Sequence, residues 1–173
     1  TRSNILEMLA GWVEQAGEDD SLLVYFAGHG VEADGKLYLM PQDGRSNTVE
    51  MTAIAYSDFE TLLERSGARL SLVILDACHS GVGRGQSAMT QEMGAELDAY
   101  SEGRILLASC KEDEVSHEME GEGHGAFTWY LLEGLGGGAD ANGDAAVSAK
   151  ELSDYTFEQV SRWSRRNQLR QTP

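Results

Sequence analysis

Two segments of the chain each place a residue capable of acid–base or nucleophilic chemistry after an apolar run. His29 follows the strand-like residues 22–26, and Cys78 follows the strand-like residues 70–75. Both runs are continuous and aliphatic, which is the pattern of fully buried parallel strands. Reactive groups of open parallel sheets gather outside the carboxyl ends of the strands. The pattern therefore predicts that this histidine and this cysteine meet at one edge of a sheet.

A cysteine–histidine pair of this kind supports hydrolysis of an amide bond. Cys78 would be the nucleophile, but a free cysteine with a pKa of about 8.5 is mostly protonated at neutral pH. His29 within hydrogen-bonding distance would remove that proton and later deliver it to the leaving amine. The backbone N–H groups of Gly30 and Cys78 are the predicted donors to the oxyanion of the intermediate. Gly28 and Gly30 are predicted to allow a sharp turn around the histidine.

The two motifs together resemble those of the caspase and metacaspase cysteine proteases. The resemblance rests on Gly28-His29-Gly30 and on Asp76-Ala77-Cys78-His79-Ser80-Gly81, about 50 residues apart. Caspases that cleave after aspartate carry Gln-Ala-Cys at the nucleophile, whereas Asp-Ala-Cys-His-Ser-Gly is typical of metacaspases and their bacterial relatives, the orthocaspases. The resemblance implies a bacterial cysteine protease with a three-layer α/β fold, in which a mostly parallel sheet has helices on both faces.

Asp76 predicts the specificity of such a protease. It lies two residues before Cys78 and therefore on the same side of the strand. A desolvated carboxylate in the S1 pocket attracts a cationic side chain at P1, the residue before the cleaved bond, and repels an acidic one. We therefore expect cleavage after arginine and, second, after lysine, because the planar guanidinium pairs bidentately.

The net charge of −16 agrees with protein or peptide substrates that carry basic residues. An acidic field steers basic segments toward the protein and disfavours nucleic acid as a partner. The alternative is that the charge serves solubility alone.

Two further segments are assigned by the resemblance alone. Residues 111–116 follow a third apolar run and are expected to form a wall of the S1 pocket, where either Glu112 or Asp113 adds acidity. The segment 83–103 corresponds to the activation loop of the family. This makes Arg84 a candidate for self-cleavage and predicts activation by processing or by a partner. A merely flexible glycine-rich loop is the alternative.

Residues 1–173 are expected to form one compact α/β domain, because a chain of this length with 41% hydrophobic residues can bury a hydrophobic core. Residues 36–41 predict a short strand, in a hairpin with the stretch near Val49. Ser57 and Glu60 predict a capping box that opens a helix. No apolar run approaches about 18 residues, so no membrane segment is predicted. Two cysteines without framework spacing suit the reducing cytoplasm.

The first strand of the family has no counterpart in this sequence, since the chain opens directly on a helix-like segment. We therefore expect a fragment of a longer polypeptide, with a companion chain or segment that supplies the strand. Without that strand, one edge of the sheet is unprotected and the S1 pocket lacks a wall. Ala27 is a second departure, because metacaspases often carry serine at that position.

Residues 139–152 contain a pattern similar to an EF-hand calcium loop. Oxygen donors follow the spacing of that loop at Asp140, Asn142, Asp144, Ser148 and Glu151. The sixth position is Ala145, where glycine is usual, and a helix-capping box of Ser148 and Glu151 is the alternative explanation. Calcium is thus a candidate ligand, although the predicted chemistry requires no cofactor.

Three functions fit these patterns. The first is an active cysteine endopeptidase, the second a catalytically silent caspase-like module that binds a partner or a peptide, and the third a calcium-responsive adaptor. The intact pair of His29 and Cys78 favours the first, because a silent module has no chemical need for both residues.

Overall fold

The computed structural model describes residues 1–79, 104–111, 114–119, 121 and 123–173, and it describes the backbone alone at Cys78, His79 and Arg104. Its strands are β1 (Ser21–Ala33), β2 (Lys36–Met40), β3 (Ile54–Ala55), β4 (Leu70–His79) and β5 (Arg104–Ala108). Its helices are α1 (Arg2–Gln15), α2 (Val49–Thr52), α3 (Tyr56–Leu63), α4 (Ala126–Glu133) and α5 (Ala149–Arg166). A π-helical turn, Gly134–Gly138, directly follows α4. Within these ranges, none of the helices combines the length and the apolar character that crossing a membrane requires.

The described strands form one sheet in the order β3-β2-β1-β4-β5. Residues 21–30 of β1 pair in parallel with residues 70–79 of β4, and β4 pairs in parallel with β5. β2 pairs antiparallel with both β1 and β3. The α/β fold is therefore confirmed, with a mixed sheet whose parallel part consists of β1, β4 and β5.

The hairpin of β2 is formed with β1 and not with the stretch near Val49. Asp34 and Gly35 join the two strands with φ angles of 51° and 71°. Positive φ at both central residues suits the right-handed twist of a hairpin, and Asp-Gly is a favoured sequence for it. Val49 is instead the first residue of α2 and is buried. The local turn signal at Asp34 thus decides which strand β2 meets.

Helix α3 also begins differently from the prediction. It starts at Tyr56, and its N-cap residue is Ala55, which makes no side-chain capping bond. The predicted capping box at Ser57 is wrong, because the chain passes directly from β3 into the helix and Ser57 already lies in the first turn.

Helices cover both faces of β4, which gives the predicted three layers. Val73 and Leu75 pack in one core with residues of α1 and α3. Leu72 and Ile74 pack in a second core with residues of α4 and α5, including the fully buried Phe127. Successive residues of a strand point to opposite faces, so a strand buried on both sides requires a continuous apolar run.

Strand β1 is partly buried on one face and exposed on the other, although its apolar run resembles that of β4. Leu22, Val24 and Phe26 pack against the core of α1 and α3. Leu23 and Tyr25 point to the other face and remain 56% and 43% exposed. The prediction of full burial for residues 22–26 is therefore wrong, because the second helical layer packs on β4 and β5.

The side of β1 away from β4 is only partly paired. β2 begins its pairing at His29, and residues 21–28 have no strand on that side within the described part of the chain.

Candidate active site

His29 and Cys78 are direct neighbours in the parallel ladder between β1 and β4. Adjacent strands lie about 4.8 Å apart, and residues in register belong to the same face of the sheet. The side chain of His29 is exposed, whereas the side chain of Cys78 lies outside the described atoms. The fold thus brings together the two backbone positions that were predicted to carry the chemistry.

His29 lies inside β1 and not at its end. The strand continues to Ala33, and the reversal of the chain occurs only at Asp34 and Gly35. Neither Gly28 nor Gly30 has a positive φ, so the predicted turn around the histidine is wrong. A Cβ at position 28 would approach the Phe26 ring to 3.1 Å, so close packing favours glycine there.

Gly30 and Cys78, the predicted oxyanion donors, occupy adjacent strands. Gly30 is buried and is in register with Leu39 of β2 on one side and His79 of β4 on the other. Cys78 is one step before His79 in β4, so the two backbone groups are diagonal neighbours.

The carboxylate of Asp76 receives a hydroxyl hydrogen bond on each oxygen. Ser116 Oγ donates to Oδ1 at 2.9 Å, and Thr128 Oγ1 donates to Oδ2 at 2.5 Å. The hydroxyl of Tyr25 lies 2.8 Å from Thr128 Oγ1. Since Thr128 has one hydroxyl hydrogen and donates it to Asp76, Tyr25 is the donor in that contact. Asp76 also shares the face of His29, since Ala27 is its register partner.

A carboxylate accepts about four hydrogen bonds. Two described hydroxyl donors orient Asp76 and leave capacity for a guanidinium or ammonium group. Ser116 ends the segment 111–116 that was expected to form a wall of the S1 pocket, whereas Thr128 and Tyr25 were not predicted as site residues. The available signal for Thr128 was a polar residue within the apolar residues of α4, and no local motif distinguished Tyr25.

The segment between β5 and α4 folds back to bring Ser116 to Asp76. His117 O accepts from the N–H of Ala126 at 2.8 Å, and His124 O accepts from the N–H of Met119 at 3.0 Å. A single antiparallel bridge joins Glu118 to Gly125. These contacts close the loop against the start of α4, next to Thr128.

Three predicted residues lie outside the described part of the chain: Glu112, Asp113 and Arg84. The neighbouring Glu114 is described and is 7% exposed. Its Oε1 accepts from Thr172 Oγ1 at 3.2 Å and lies 4.0 Å from an Arg170 nitrogen, so Glu114 contacts the segment after α5.

The donors of the EF-hand-like loop bond mainly to nearby backbone. Asp140 accepts from the N–H groups of Gly143, Asp144 and Ala145, and the Asn142 side chain also accepts from Asp144. Ala145 has a φ of 65°, the left-handed conformation that favours glycine at this position.

Ser148 and Glu151 form a capping box at the start of α5. Ser148 Oγ accepts from the Glu151 N–H, and Glu151 Oε2 accepts from the Ser148 N–H at 2.9 Å. The Ser148 hydroxyl also donates to Oε2 at 2.7 Å, and the bonds donated to this carboxylate, from the Ser148 backbone N–H first and then from its hydroxyl, hold the pKa of Glu151 below its ordinary value. Among the described residues, no three His, Cys, Asp or Glu side chains are grouped as ligands of a metal ion. Calcium binding by the loop stays a prediction.

Comparison with known proteins identifies the family. No curated protein sequence matches the chain significantly. Among solved structures, the chain is similar to the crystal structure of protein GSU0716 from Geobacter sulfurreducens, with a TM-score of 0.61 and 19% sequence identity. That match covers 91% of this chain and 68% of the other, and it supports the fold alone. The family model of the caspase domain matches residues 1–173. With the entire chain matched, the protein belongs to the caspase domain family of cysteine peptidases.

Proposed function

We propose that the protein is a cysteine endopeptidase that cleaves peptide bonds after arginine and, less efficiently, after lysine. The observation that carries the proposal is the ladder between β1 and β4, in which His29 is in register with Cys78 and Asp76 lies two residues earlier on the same face. Nucleophile, base and specificity group then share one end of the parallel strands.

In the proposed reaction, His29 takes the proton of the Cys78 thiol, and the sulfur attacks the carbonyl carbon of the substrate. The carbonyl oxygen becomes an oxyanion, for which the N–H group of Cys78 is the proposed donor. The C–N bond breaks as His29 gives its proton to the leaving amine. Water then attacks the thioester, which releases the new carboxylate and restores the thiol. This chemistry requires a reduced thiol, which fits a reducing compartment such as the cytoplasm.

Asp76 supports a cationic P1 residue. Its two oxygens are held by Ser116 and Thr128, so the carboxylate presents a fixed acceptor to a planar guanidinium. An acidic P1 side chain would be repelled at the same place. The net charge of −16 adds a field that favours the approach of basic segments.

A companion strand is part of this proposal. Residues 21–28 of β1 lack a strand on the side away from β4 within the described ranges, and Leu23 and Tyr25 are exposed beside that edge. Unpaired edges readily accept another strand. Native mass spectrometry of the purified active protein should detect a second peptide or a longer polypeptide. Full activity in a single chain of residues 1–173 would contradict this part of the proposal.

Self-processing at Arg84 follows from the same specificity and from the family resemblance. We expect the active protein to produce a fragment that ends at Arg84, and we expect Cys78→Ala and Arg84→Ala to prevent it. Mass spectrometry of the incubated proteins measures this. The same fragment from Cys78→Ala would assign the cleavage to another protease.

Fluorogenic peptides that end in Arg, Lys or Asp test the central proposal, with and without calcium. We expect turnover of the Arg peptide, slower turnover of the Lys peptide and none of the Asp peptide. Cys78→Ala and His29→Ala should each reduce turnover by about 10²-fold or more. No turnover of any peptide, together with no labelling of Cys78 by a thiol reagent, would support a silent binding module.

A further inference from the structure

Gln171 is a polar residue in the segment after α5, yet only 1% of its surface is exposed. Its amide is nonetheless fully used. Nε2 donates to the backbone oxygen of Ser109 at 3.0 Å and to Ser116 Oγ at 3.3 Å, and Oε1 accepts from the N–H of His117 at 3.0 Å. A buried amide is tolerated only when it is paired in this way.

The orientation of the amide follows from its backbone partners. The N–H of His117 can only donate, so it must face Oε1, and the carbonyl of Ser109 can only accept, so it must face Nε2. The second hydrogen of Nε2 therefore points to Ser116. Because Ser116 Oγ accepts this bond, its single hydrogen is directed elsewhere, and it goes to Asp76 Oδ1 at 2.9 Å.

The tail segment, residues 169–173, is held in place independently of this amide. Ser164 Oγ, buried in α5, donates to the backbone oxygen of Gln171 at 3.1 Å. Thr172 Oγ1 donates to the nearly buried Glu114 at 3.2 Å. The tail therefore connects helix α5 to the loop between β5 and α4, which carries Ser116.

We propose that Gln171 is a positioning residue, which acts through Ser116 to hold the Asp76 carboxylate in the orientation that binds a cationic P1 side chain. The proposal rests on the proposed function and names a specificity determinant of that site, far from the nucleophile in sequence. Loss of the amide would remove one of the bonds that direct the Ser116 hydroxyl toward Asp76, so this donor would hold the carboxylate less firmly. Substrate binding should weaken while the reaction at Cys78 proceeds as before.

The test compares Gln171→Met, which keeps the size and removes every hydrogen bond of the side chain, with Gln171→Glu, which keeps an acceptor for His117 and removes the donors to Ser109 and Ser116. Both should raise KM for Arg-terminated peptides by about tenfold and change kcat by less than about twofold. Thr172→Val is the matched control, because it removes a tail contact and leaves the amide intact. Its KM should equal that of the wild-type protein.

Two thiol reagents separate positioning from loss of fold. An arginyl chloromethyl ketone needs Asp76, whereas iodoacetamide does not, and peptide mass mapping reports the label on Cys78. Gln171→Met should slow the first reaction about tenfold and leave the second unchanged. Equal slowing of both reactions would indicate general disruption and overturn the proposal.

A double-mutant cycle tests whether Gln171 acts through Ser116. It uses Gln171→Glu and Ser116→Ala and therefore does not depend on Gln171→Met. Ser116→Ala should raise KM as Gln171→Glu does, and the combined variant should show no further rise. Additive effects would overturn the proposal, as would an unchanged KM in an active Gln171→Glu variant. If the wild-type protein cleaves no Arg peptide and resists the arginyl reagent, the proposed function itself fails, and the role of Gln171 fails with it.

Discussion

Thr128 donates its hydroxyl hydrogen to Asp76 across a separation of 52 residues in the chain. The contact connects the start of α4 to the carboxyl end of β4. Tyr25 of β1 extends it through its bond to Thr128. The acidic group of the proposed S1 pocket is therefore held by elements outside its own motif.

Asp76→Asn should remove most of the preference for arginine. Truncating one partner of a buried charge pair costs at least about 2 kcal/mol, so kcat/KM for an Arg peptide should fall by about 30-fold or more. The melting temperature should fall slightly, because the asparagine amide keeps one acceptor oxygen, so one of the hydroxyls of Ser116 and Thr128 loses its acceptor. Asp154→Asn removes an exposed carboxylate that pairs with Lys150 and should retain full activity. An unchanged kcat/KM in Asp76→Asn would refute the assigned role.

Thr128→Val keeps the shape of the side chain and removes the donor to Asp76. We expect KM for an Arg peptide to rise about fivefold to tenfold, in line with a hydrogen bond of about 1–1.5 kcal/mol. Thr128→Ser keeps the hydroxyl and should stay close to the wild-type KM. Steady-state kinetics measures both variants. Identical KM values for the two would show that the hydroxyl is not the relevant feature.

Glu151 makes the stability of the protein depend on pH. Its pKa is lowered by hydrogen bonds from Ser148, the backbone one first. A carboxyl whose folded pKa is below its unfolded value stabilises the protein above the unfolded pKa, and this contribution is lost as the pH falls through the folded pKa. Glu151→Gln should therefore melt at a lower temperature than the wild-type protein at pH 7, and the difference should shrink at a second, acidic pH below the folded pKa of Glu151.

Circular dichroism melting curves at the two pH values measure this effect. Glu158→Gln removes another exposed carboxylate of α5 and controls for net charge. A melting difference between Glu151→Gln and the wild-type protein that is the same at both pH values would contradict the linkage.

Calcium should raise the melting temperature if the loop at 140–151 binds it. The left-handed Ala145 already provides the backbone conformation that such a loop needs at its sixth position. Asp140→Asn and Asp144→Asn should each reduce the calcium-dependent increase, and Asp154→Asn should not. Equal melting temperatures with calcium and with chelator would exclude the site.

Local signals predicted much of the architecture. The continuous apolar run of β4 predicted a strand buried on both faces, and the structure covers it with helices on both sides. Ser148 and Glu151 gave a capping box within four residues, which begins α5 as observed. The apolar runs before His29 and Cys78 predicted that the two residues meet at one edge of a parallel sheet, and the ladder has their backbone positions in register.

Partners far apart in the chain could not be predicted in the same way. The apolar run of β1 resembles that of β4, yet only one face of β1 packs against a core. The helices that could cover its other face pack on β4 and β5. The predicted hairpin of β2 with the stretch near Val49 was wrong, because the turn at Asp34 and Gly35 joins β2 to β1 instead.

The sequence alone determined the buried apolar run of β4, the capping box that begins α5, and the two reactive residue types with their spacing. Only the tertiary structure decided that Ser116 and Thr128 donate to Asp76 and that Gln171 bonds to Ser116. The physical reason is that an apolar pattern specifies which face of an element is buried, whereas a buried polar group requires a partner of matching hydrogen-bond geometry. That partner is known only when distant segments have packed together.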